Sequence, residues 1–69
     1  MTMILLNKVK YFRLKFSLTQ ENLANKVGVT RLTIISIEKQ RYEPSVSLAI
    51  KLSNVFNCKV EELFWFSEE

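Results

Sequence analysis

The chain has 69 residues, enough for one domain with a small core, so a single domain over 1–69 is expected. At 48% hydrophobic and 25% charged, with one Gly and one Pro, it is neither disordered nor loop-dominated. The lone cysteine, Cys58, excludes an internal disulfide, and no apolar run reaches membrane-spanning or secretory form, so a cytoplasmic protein is expected.

The net charge of +3 hides a division along the chain. Residues 1–41 hold eight basic side chains against Glu21 and Glu38, while 42–69 hold Lys51 and Lys59 against five glutamates. A basic front suits a polyanion, and an acidic rear suits water or a protein partner.

Met3-Ile4-Leu5 is a short apolar run ahead of Asn7, a residue suited to cap a helix. Leu6 and Tyr11 flank that cap at the spacing of a hydrophobic staple. Apolar residues recur at Leu5, Val9, Phe12 and Phe16, which predicts a helix over about 7–16. Lys8, Lys10, Arg13 and Lys15 fall off its stripe.

Thr19 is placed to cap a second helix, with Asn22 where a full capping box has Glu or Gln. Leu23, Ala24 and Val27 form its apolar stripe, and Gly28 supplies the left-handed backbone of a sharp exit. Gln20 sits in the first turn, where free backbone amides favour an anion, and is a candidate phosphate contact.

Val29 plugs the corner and Thr30 caps a third helix over about 31–39. Two short helices joined by a glycine elbow over 20–39 match the helix-turn-helix pattern. On a helical wheel Thr30, Thr33, Ile34, Ile37 and Glu38 share the packed half. Arg31, Leu32, Ile35, Ser36 and Lys39 share the other, a face unusually rich in apolar side chains. Glu38 at the edge of a core needs a counter-charge, and Arg13 is placed to supply it as a partly buried ion pair.

Pro44 closes a loop and Ser45 caps a fourth helix over about 46–56. A short fifth helix follows over about 60–64, with Lys59 a poor cap at its start. Phe64-Trp65-Phe66 is too apolar for a free tail. Paired with Met3-Ile4-Leu5 it makes a short antiparallel β-ribbon, 3–5 with 64–66, lying over helices one and five or helping to build a dimer contact.

This ordered series resembles the Cro/phage-repressor type of helix-turn-helix proteins over nearly the full length. Arg13, Thr19-Gln20, Leu23-Ala24, Gly28-Val29-Thr30, Thr33-Ile34, Ile37-Glu38 and Tyr42-Glu43-Pro44-Ser45 carry the resemblance. Within that family the chain is most similar to small stand-alone regulators of the cytolysin-repressor kind. The resemblance implies an all-α, five-helix repressor-like domain with a terminal β-ribbon, binding operator DNA as a homodimer. It implies base contacts from Thr30, Arg31, Leu32 and Ser36 in the major groove. It implies phosphate contacts from Gln20, Lys39, Arg41 and Tyr42, and a structural ion pair between Arg13 and Glu38.

Leu32 and Ile35 stand where relatives often carry polar base-reading side chains. Either they meet thymine methyl groups, or Ile35 packs on a neighbouring helix and reads nothing. Gln40 takes a turn position where Gly or Asn is common. Surplus apolar residues near the C-terminus, Val55, Cys58, Val60 and Phe66, are candidates for a dimer interface.

The expected function is a sequence-specific transcriptional regulator, a repressor reading an inverted-repeat operator. The alternative is a small helical protein-interaction module, antitoxin-like or an adaptor. An enzyme is disfavoured by the absence of histidine, of a phosphate loop and of any partner to activate Cys58. Neither a metal, a cofactor, a membrane nor a small-molecule effector is expected.

Overall fold

Helices of four to ten residues do not persist alone in water, so packing must hold those of this chain together. The computed structural model describes residues 3–68. In chain order these are β1 (Met3–Asn7), α1 (Val9–Lys15), α2 (Gln20–Val27), α3 (Arg31–Glu38), α4 (Val46–Val55), α5 (Val60–Leu63) and β2 (Phe64–Glu68). Val9, Leu23, Ile34, Ile37, Leu52, Phe56 and Leu63 are fully buried and reach the core from every helix. Each such aliphatic contributes about 1.5–3 kcal/mol, so the helices stabilise one another. Phe56 stacks on Phe12 with ring centroids 5.5 Å apart.

Three helix starts follow their capping residues. The Thr19 hydroxyl accepts the Asn22 N–H at 2.9 Å, and Asn22 Oδ1 accepts the Thr19 N–H at 3.4 Å. Asn22 therefore does the work of the Glu or Gln in a full capping box. Thr30 Oγ1 accepts from Thr33 N–H at 3.4 Å, and Ser45 Oγ from Leu48 N–H at 3.1 Å. Lys59 has no acceptor to offer, so only half a box forms: Glu62 Oε1 accepts the Lys59 N–H at 2.8 Å.

Four helices leave by one kind of exit. Ser17, Gly28, Gln40 and Asn57 are left-handed, with φ of 56°, 75°, 60° and 52°. The next N–H in each case returns to a carbonyl five residues back: Leu18 to Arg13, Val29 to Ala24, Arg41 to Ser36 and Cys58 to Ser53, all at 2.9–3.0 Å. These are Schellman motifs, and Leu18, Val29 and Cys58 make the accompanying contact with the core.

β1 and β2 pair antiparallel, Met3 opposite Glu68 through Asn7 opposite Phe64. The ribbon is longer than its apolar runs suggested, because backbone pairing continues past them through Asn7 and Ser67. It also takes Asn7 out of α1, which starts at Val9 and not at 7. Asn7 still caps that helix from within the strand, its Oδ1 accepting the Val9 N–H at 3.0 Å. The Lys8 N–H donates to the Leu63 carbonyl at 3.0 Å and closes the ribbon's root.

Candidate nucleic-acid interface

α3 is held against the core by its inner side. Ile34 and Ile37 are fully buried, and Glu38 is drawn in beside them by charge. Arg13 Nε donates to Glu38 Oε2 at 2.7 Å and Nη2 donates to Oε1 at 3.3 Å, a two-pronged pair whose side chains are 9% and 6% exposed. The remaining fork of Arg13 donates to the Leu18 carbonyl at 3.0 Å, and Gln20 Nε2 donates to Glu38 Oε1 at 3.1 Å. Every buried side-chain polar atom among the described residues has a partner. Such a network is stabilising only when satisfied in this way.

With that side locked, the opposite side of α3 faces out. Thr30, Arg31 and Leu32 are exposed, Leu32 at 69%, while Ile35 and Ser36 are half-buried. The Thr30 hydroxyl is committed to its cap. Lys39, Arg41 and Tyr42 are exposed around the end of the helix.

Two shallow depressions flank this face. One is lined by Thr30, Leu32, Thr33, Ser36, Arg41 and Tyr42. The other brings Gln20 and Arg31 together with Lys10, Arg13 and Thr19. Thr33 and Lys10 join the contacts that the sequence suggests. Lys10 lies one turn from Arg13 on α1, a spacing that places it on this side once the Arg13–Glu38 pair is known. Ile35 lines neither depression.

The candidate dimer residues divide. Val55, Cys58 and Val60 are half-buried against the chain's own core, whereas Phe66 is 58% exposed on the ribbon. Burial and the nearby Glu62 carboxylate push the Cys58 thiol up from its ordinary value, away from the reactive thiolate. Among the described residues no cluster of three or more His, Cys, Asp or Glu side chains forms that could hold a metal ion. No helix among them is long and apolar enough to cross a membrane.

A family model described as helix-turn-helix matches residues 9–63. An HTH-type transcriptional regulator of Archaeoglobus fulgidus is 53% identical over 62 residues, covering 90% of this chain and 87% of its own. The HTH-type transcriptional regulator MJ0272 of Methanocaldococcus jannaschii is 49% identical over 63 residues, covering 91% and 96%. Among solved structures, the P22 c2 repressor in complex with a synthetic operator superposes with a TM-score of 0.76 at 26% identity, covering 78% of this chain and 82% of that one. The chain is therefore a transcriptional regulator of non-enzymatic kind, a member of the Cro/C1-type helix-turn-helix family.

Proposed function

We propose that the protein is a repressor that binds an inverted-repeat operator as a homodimer, with α3 in the major groove. The observation that carries the reading is the exposed N-terminal half of α3, Arg31 and Leu32 above all, on a helix clamped from behind by Ile34, Ile37 and Glu38. A rigid helix with a free, donor-bearing face is what base reading requires. The operator complex of the P22 c2 repressor, similar in fold, supports it.

In this reading Arg31 donates to guanine, and Leu32 meets thymine methyl groups. Thr30, Ser36 and the half-buried Ile35 border that contact. Lys39, Arg41 and Tyr42 hold phosphates on one flank, and Gln20 does so on the other. Gln20 gives one amide hydrogen to Glu38 and keeps a second for the backbone. Phe66, with Val55, Cys58 and Val60 from the same acidic half of the sequence, joins the two copies. Two reading helices then sit roughly 34 Å apart, one turn of B-DNA.

Selection of bound sequences from random DNA by the purified protein tests this reading. Enrichment of a two-fold symmetric site supports it. Binding without enrichment, together with a co-purifying protein, favours an interaction module instead.

A further inference from the structure

We propose that Asn7 and Gln40 are positioning residues: they tie the ribbon to the end of α3 and thereby set how its outer face meets DNA. This rests on α3 being the reading helix.

The last carbonyls of a helix have no partner within it. In α3 the Ile37 carbonyl receives two donors, the Gln40 N–H at 3.0 Å and the side-chain Nδ2 of Asn7, also at 3.0 Å. The same Asn7 amide accepts the Val9 N–H through Oδ1 at 3.0 Å. One planar group therefore caps the start of α1 and the end of α3, and turning it over breaks both bonds. A second tie runs the other way. Gln40 Nε2 donates to the Leu5 carbonyl of β1 at 3.3 Å. Gln40 occupies a left-handed position that suits Gly or Asn better, and neither of those has a side chain long enough to make this bond.

Apolar contacts are non-directional and resist lifting more than sliding or rotation. Ile34 and Ile37 alone leave those freedoms to α3, and the Arg13–Glu38 pair restrains it through a side chain and not through its backbone. Hydrogen bonds are directional, and these two fix its end against a strand pair rooted at Leu63. The tie sits one residue past Ser36, the last candidate base contact. α3 is only about 12 Å long, so a small displacement at its end is carried to Arg31.

The test uses Gln40→Gly, Gln40→Asn and Asn7→Asp in the full chain. Glycine or asparagine relieves the left-handed strain, so melting temperature should hold or rise while the tie is lost. Asp retains the cap on Val9 and loses the donor to Ile37. Two readouts are taken. Amide exchange of the free protein should quicken at the end of α3, in residues 37–41. The ratio of selected-site to random-site affinity should fall about tenfold. Unchanged exchange and an unchanged ratio in all three variants overturn the proposal. A purely structural role predicts binding that follows melting temperature, which the glycine variant would violate. If the unaltered protein shows no sequence preference, the reading of α3 fails, and the exchange measurement still decides the tie.

Discussion

Arg13 and Glu38 are 25 positions apart in the chain and share two hydrogen bonds, with Gln20 as a third member on the same carboxylate. The pair joins α1 to α3, and Gln20 adds the first turn of α2. It thus holds both helices of the helix-turn-helix unit to the domain.

Glu38→Gln should therefore be costly. It leaves the buried Arg13 guanidinium without a counter-charge, a change that costs about 3–5 kcal/mol. In a chain of this size the melting temperature should drop by more than ~10 °C. A thermal melt followed by circular dichroism measures it, and an unchanged midpoint would show that the pair is dispensable.

Arg31→Ala and Lys39→Ala should separate reading from holding. The first should cost ~1–3 kcal/mol on the selected site and relax discrimination at one base position. The second should weaken every sequence alike and lower the salt slope by about one. Gel shifts on selected and scrambled duplexes at several salt concentrations distinguish them. Equal losses from Arg31→Ala on both duplexes would refute base reading.

Lys59→Ser should stabilise the domain. It adds the acceptor that Lys59 lacks while Glu62 keeps its half of the box, a gain of about 0.5–1 kcal/mol. Urea denaturation should show a higher midpoint with an unchanged slope. A lower midpoint would mean that the lysine stem contributes packing that outweighs a cap.

Cys58 should alkylate more slowly in the folded protein than in urea, because burial and Glu62 disfavour its thiolate. A thiol whose folded value is raised contributes stability that is full below the unfolded value, about 8.5. That contribution is lost as pH rises through the folded value. Folding stability should thus fall as the solution is made more alkaline, and a Cys58→Ala variant should lose less over the same range. Equal alkylation rates in the two states would contradict the assignment.

Much of this architecture is legible in residue types. Thr19, Thr30 and Ser45 cap helices because their short hydroxyls reach a free N–H, and Gly28 marks the corner. Glu38 is informative because a carboxylate on an apolar side requires a partner. What stays hidden is set by tertiary contact. Ser17, Gln40 and Asn57 turn left-handed although only Asn57 carries a local preference for it. Asn7 looks like a simple cap and spends half its bonding on a helix thirty residues away. A wheel orders side chains around α3 without saying where neighbours cut it: it puts Thr33 inside and Ile35 outside, and both are half-buried.

Gly28 invites a last consequence. A Cβ built there meets nothing within 4 Å, so its neighbours do not exclude that atom. The obstacle to a side chain is chirality, since φ of +75° disfavours every L residue. Alanine at this position should then be penalised by its backbone preference and not by a clash of its Cβ, with asparagine penalised less. A mirror-image alanine, introduced by chemical synthesis, prefers this φ and would restrict the unfolded chain. The elbow between the two helices of the helix-turn-helix is set by backbone handedness.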